Sequence, residues 1–145
     1  FSSLDQLIVE STAYCMAKVE DDFMLLAPKS VHDIPRFLDE IPYWTKEKHG
    51  KKYRLMYQVY THPKYKEAGT EFFIGVDKRY HEYAKRLEKV IGIPSNILTP
   101  IIFIFIRASV HYALFEEEDY LKSQISVIRL ALQLIIEKYH GSQEK

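Results

Sequence analysis

Arg107 and His111 stand four residues apart in an otherwise apolar stretch, so on a helix they share one face. Two such polar groups in apolar surroundings suit the orienting of a small organic ligand. They could equally pair with acidic side chains of a second copy. Eleven tyrosines, eight phenylalanines and one tryptophan concentrate in the middle of the chain, where Phe37, Tyr43, Trp44, Tyr57, Phe72, Phe73, Tyr80, Phe103 and Phe105 could surround a common space. Aromatic residues at helical spacing are also ordinary core, so the set is a pocket candidate rather than a pocket. Other chemistries find little support. Six histidines are scattered with no His-x-x-x-His, and Glu137-Lys138-Tyr139-His140 is the single Glu-x-x-His, where a di-iron bundle needs two such pairs and two more carboxylates. No metal ligand set, cofactor motif, catalytic nucleophile signature or phosphate-binding glycine loop is present, so neither an enzyme nor a cofactor is expected.

The 145 residues suffice for one domain, 1–145, able to bury about two-thirds of its unfolded surface. Hydrophobic residues make up 47%, and 20 basic side chains balance 20 acidic ones, a globular composition with no electrostatic reason to hold nucleic acid by itself. The single Cys15 has no internal disulfide partner, which fits a cytoplasmic location. Ile97–Phe115 contains Pro100, Arg107 and His111 and reads as a buried helix, with no membrane partner expected. Lys46, Lys48, Lys51, Lys52, Arg54, Lys64 and Lys66 make the middle basic, either a solvated face or one that adds favourable potential near DNA.

Apolar residues recur every three or four positions throughout, which predicts an all-α fold of about six helices. Ser3 caps the first helix, with Gln6 completing a capping box, and it runs to about Leu26 before Pro28. A second helix starts near Ser30 or Asp33, is bent by Pro35 and Pro42, and is closed by Gly50. The third spans about Lys51 to Thr61 and the fourth Lys64 to Ile91. Ser95 or Asn96 caps the fifth, which reaches Phe115, and the sixth covers about Asp119 to Tyr139, before Gly141 and a polar tail. On that last helix Leu121, Ile125, Ile128, Leu132 and Ile135 form one apolar stripe, and Val127, Leu130, Ala131 and Leu134 another. Two apolar stripes need two partners, so the last two helices, 95–139, are expected to make a dimeric four-helix bundle with Phe105, Tyr112, Ile125, Ile128, Leu132 and Ile135 at its seam. A monomeric bundle centred on the same pair is the simpler alternative.

Phe1-Ser2-Ser3-Leu4-Asp5-Gln6-Leu7 resembles the domain junction of the tetracycline-repressor (TetR/AcrR) family, where a recognition helix is followed by an aromatic, a capping serine and a long connecting helix. Arg54-Leu55-Met56-Tyr57 through Thr61-His62-Pro63 resembles the family's sixth helix running into a break before the seventh. Pro35, Pro42, Gly69 and Gly75 depart from the pattern. The resemblance implies a ligand-sensing and homodimerising domain, with residues 1–26 as the connecting helix after a DNA-binding helix-turn-helix domain that the chain lacks. It also implies a small hydrophobic or aromatic effector among Tyr14, Phe37, Trp44, Tyr57, Phe73, Phe103, Arg107 and His111, and operator DNA bound only through the missing domain. A stand-alone homodimeric interaction module, and a small metal-binding or enzymatic bundle, are the alternatives to that function.

Overall fold

Ser3 starts the first helix. In the computed structural model, which describes residues 3–140, its hydroxyl accepts from the Gln6 amide at 3.1 Å, and α1 runs Leu4–Met24. Phe1 and Ser2 of the junction motif, and the tail from Gly141, lie outside the described residues. α1 buries Thr12, Met16, Val19, Glu20 and Phe23, packs chiefly against α2, and leaves Leu4 and Tyr14 exposed. After α1 the Leu26 carbonyl accepts from the Tyr83 hydroxyl at 2.7 Å, and a 3-10 turn, Val31–Asp33, leads onward.

The expected second and third helices are one. α2 spans Ile34–Tyr60, 27 residues, passing through Pro42 and Gly50 without a break. Pro35 falls in its first turn, where the missing N–H has no intrahelical partner in any case. Gly50 fails to stop the helix because the buried stripe Leu38, Ile41, Thr45, His49, Tyr53, Met56, Tyr60 keeps its spacing of three and four straight across it. His62-Pro63 does end it: the His62 ring accepts from the Lys64 amide at 3.1 Å and opens the 3-10 turn Pro63–Tyr65.

α3, Lys66–Ile91, ends on Gly92 at φ 72, the left-handed cap that glycine takes without steric cost. α4 covers Ser95–Phe115. Pro94, rather than Ser95 or Asn96, is the cap residue, and the Ser95 amide donates instead to the Glu88 carboxylate of α3 at 3.1 Å. Glu116, the single non-glycine with positive φ among the described residues, turns the chain into α5, Glu118–His140, and is held by Lys46 at 2.8 Å. Among the described residues the fold is thus five α-helices and two 3-10 turns with no strand.

α2 is the hub, packed on α1, α3, α4 and α5. The larger core lobe gathers Phe23, Leu38, Tyr83, Leu98, Phe105 and Leu132, the smaller one Met16, Val19, Tyr53, Met56 and Val110, and Phe72 and Ile106 pack against both. By length and composition α4 is the one described helix that could cross a membrane, and half of its most apolar window is buried inside the molecule. Phe105, Tyr112, Ile125, Ile128 and Leu132, the residues expected at a dimer seam, are buried within the chain, and Ile135 is half-buried. The outward stripe of α5 is the other one, Val127, Leu130, Ala131 and Leu134. The inward stripe packs into the larger core lobe, and Arg129 beside it pairs with Asp39 of α2.

Candidate functional site

Four helices close around a small cavity of about 70 Å³ in the second core lobe. α1 supplies Met16 and Glu20, one turn apart, and α2 supplies Tyr53, Met56 and Tyr57. Phe72, Phe73, Val76 and Tyr80 come from α3, and Phe103, Ile106, Arg107 and Val110 from α4. Each set repeats at three or four residues, so every helix turns a single stripe toward the same space.

The walls are mostly rings. Phe72 packs on Tyr60 at 4.8 Å between centroids and meets Phe73 edge-on at 5.3 Å, while Tyr80 meets Phe103 edge-on at 5.5 Å. These are the edge-to-face arrangements that ring quadrupoles favour. Phe73 is 46% exposed and stands at the rim.

Glu20 is the buried charge, 5% exposed on α1. Both its oxygens accept from Arg79 of α3, through Nε and, at 2.9 Å, through Nη2. A bidentate pair of this kind is stronger and more directional than a single charged contact. The Arg79 guanidinium, hydrogen-bonded to Glu20, is held above its ordinary pKa. Burial, and then the Glu20 charge, pushes the Tyr53 phenol well above its usual range. Tyr80 is raised in the same sense, by burial first and then by Tyr53 and Glu20. Both therefore remain neutral hydroxyl groups beside the cavity at physiological pH.

Of the residues expected to hold a ligand, Tyr57, Phe73, Phe103 and Arg107 come together here. The other four do not. Tyr14 is 66% exposed on the outer side of α1, with Lys18 over its ring at 4.6 Å. Phe37 belongs to the other core lobe, against Phe23 and Phe105 at 6.3 and 5.9 Å, beside a separate void of about 50 Å³. Trp44 packs on His49 at 5.0 Å. His111 lies at the far end of α4, with Nε2 3.1 Å from Glu117 and its ring against Phe115 and Tyr120. Helical spacing gives Arg107 and His111 one face, but the last α4 residue lining the cavity is Val110, and the His111 ring is engaged by Glu117, Phe115 and Tyr120 instead.

Sequence reasoning missed Glu20, Met16 and Met56. The available signal was an acidic residue inside the apolar stripe Met16, Val19, Phe23, since a carboxylate placed among buried positions needs a dedicated partner. Elsewhere a wider open groove of about 420 Å³ runs between α2 and α5. The Tyr43–Glu118 hydrogen bond at 2.9 Å and the Arg129–Asp39 pair tie its two sides together, and it reads as a seam between helices. Among the described residues no three His, Cys, Asp or Glu side chains gather as a metal ion requires. No protein-family model, curated protein or solved structure matches the chain.

Proposed function

We propose that this chain is the small-molecule-sensing and dimerisation part of a cytoplasmic transcriptional regulator of the tetracycline-repressor type. One observation carries the reading: the aromatic cavity is walled by α1 itself, through Met16 and Glu20. An occupant of the cavity therefore bears directly on the first helix. The first turn of that helix is clasped to the 3-10 turn that follows α2, because Asp5 accepts from the Tyr65 hydroxyl at 2.8 Å and pairs with Lys64 at 2.9 Å. Lys64 and Tyr65, by hydrogen bonding, hold the Asp5 carboxyl below its usual range.

The coupling needs only a ligand that favours one tilt of α1 over another. In a homodimer that tilt would set the spacing of two recognition helices carried by a helix-turn-helix domain joined to α1, and so decide whether both reach adjacent major grooves. Nothing is done chemically to the ligand. The outward apolar faces of α4 and α5 supply a surface for the second copy, and the same surface is what a stand-alone interaction module would use.

The test is a thermal-shift screen of small apolar and aromatic compounds, followed by operator binding of the regulator carrying its DNA-binding domain. Ligands should raise the melting temperature by mass action, an effect of about 2.7 kcal/mol at a hundredfold excess over Kd. They should also change operator affinity. Hits that bind identically after Tyr57→Ala and Met56→Ala would remove the cavity from the reading.

A further inference from the structure

Resting on the cavity's role as the sensor's ligand site, we infer that its ligand is a small apolar or aromatic monoanion whose carboxylate is met by Arg107. Two charged side chains line the cavity, Glu20 and Arg107. They differ in what they already hold. Glu20 is buried and gives both oxygens to Arg79, so a cationic ligand would have to displace a bidentate guanidinium and strand one charge. Arg107 is exposed at the edge and forms no ion pair among the described residues. The acids of the turn after α4 are already engaged: Glu116 by Lys46 at 2.8 Å, Glu117 by His111 at 3.1 Å and Glu118 by Tyr43 at 2.9 Å. The cavity's uncommitted charge is therefore positive.

The remaining polar groups agree. Tyr53 and Tyr80 keep their protons, so their hydroxyl groups can donate to the oxygen atoms of an acid. The walls set the ligand's body. Phe73 and Phe103 present ring edges and faces to an apolar group, and Met16 and Met56 adapt to its outline. A void of about 70 Å³ is smaller than one benzene-sized site of roughly 150 Å³. Entry of a single ring therefore requires movement of Phe73, the half-exposed member of the rim.

The experiment is titration calorimetry of the full chain with three matched probes, 3-phenylpropionate, 3-phenylpropan-1-ol and 3-phenylpropylamine, which share a ring and spacer and differ in head group. The expected order is acid, then alcohol, then amine, with the acid at least tenfold tighter than the amine. Arg107→Gln should remove the acid's advantage over the alcohol, and Arg107→Lys should keep part of it. An amine that binds as tightly as the acid would overturn the inference and hand the head-group role to Glu20. So would an acid preference unchanged in Arg107→Gln. Failure of all three probes to bind overturns the inference together with the ligand site. Binding in the expected order without any change in operator affinity overturns the regulatory reading and leaves the ligand class standing.

Discussion

Glu20 and Arg79 hold α1 to α3 at the depth of the cavity, and the pair is worth most as a pair. Removing Arg79 leaves a carboxylate that is 5% exposed without its partner, a situation that costs about 3–5 kcal/mol when both groups are fully buried. The guanidinium is 46% exposed, so solvent screening brings the expected cost of Arg79→Met down to roughly 2 kcal/mol. Replacing both, as Glu20→Leu with Arg79→Met, should cost less than the single change, which urea denaturation of the three variants measures as a double-mutant cycle. A double variant weaker than Arg79→Met would mean that Glu20 is held by something other than this pair. His49 is buried as well. It is 1% exposed on α2, with Nε2 3.1 Å from Asp22 of α1, yet neither ring nitrogen has an aligned hydrogen-bond partner among the described residues. Burial first, then the neighbouring Lys52 and Lys48 charges, lowers its pKa, while Asp22 pulls the other way. The unfolded chain, with a histidine pKa of about 6.5, then binds more protons than the folded one just below neutrality. Stability from this site is complete above that value and falls as the pH drops toward the lowered folded value. Melting temperatures at pH 7.5 and 5.5 should therefore differ more for the native chain than for His49→Gln. An equal difference in both would assign the acid sensitivity to another group.

Gly50 and Gly69 look alike in the sequence and have opposite consequences for the helices that carry them. A Cβ at Gly50 would meet the Ala113 carbonyl oxygen of α4 at 3.8 Å, ordinary contact, so Gly50→Ala should gain about 0.5–1 kcal/mol from reduced backbone entropy in the unfolded chain. At Gly69 the same atom would stand 2.8 Å from the Tyr60 carbonyl oxygen and 3.2 Å from its Cβ, and backbone cannot step aside. Gly69→Ala should therefore lose about 1–3 kcal/mol, the usual range for overpacking, by prying α3 from the end of α2. Thermal melts of the two variants decide it, and a gain at both positions would show that the α2–α3 corner is loose. The same comparison explains what the sequence revealed of these elements. An interior glycine costs a helix only about 1 kcal/mol, so the residue that looked like a terminator is outweighed by a buried stripe running through it. That stripe, Leu38 through Tyr60, was legible, and following it across Gly50 would have joined the two expected helices. The close approach over Gly69 was not legible, because it depends on where another helix's carbonyl lies. For the cavity, periodicity found the stripes of α2, α3 and α4 and missed Glu20, whose meaning comes from Arg79, 59 residues away.

At the scale of the whole molecule the question is which apolar face of the last helix is left for a partner. Both stripes of α5 are visible in the sequence, the first made of large aliphatic residues throughout and the second including Ala131. The bulkier stripe enters the core, and the Arg129–Asp39 pair beside it joins residues 90 apart, which no helical period reports. With Ile125, Ile128 and Leu132 turned inward, Val127, Leu130 and Leu134 remain 66, 57 and 57% exposed. On α4, Ile104, His111 and Phe115 share a face by spacing, and the His111 ring bridges to Tyr120 of α5 at 5.1 Å, so the two helices offer one outward surface. The proposed homodimer would place this exposed apolar surface at its two-fold axis. The two stripes predict different failures. Val127→Glu combined with Leu134→Glu should give a folded monomer, with helical circular dichroism retained and sedimentation at micromolar concentration falling from the dimer to 17.2 kDa. Ile128→Glu should instead unfold the chain, since an unpaired carboxylate would enter the core beside Leu132 and Ile125. A native chain that sediments as a monomer, or a double variant that still dimerises, would reject this face. Because α4 also lines the cavity through Phe103, Ile106, Arg107 and Val110, the monomeric double variant carries a second consequence. Its ligand affinity should change wherever dimerisation and occupancy are coupled through α4, and by linkage the ligand should shift the dimer equilibrium by the same factor.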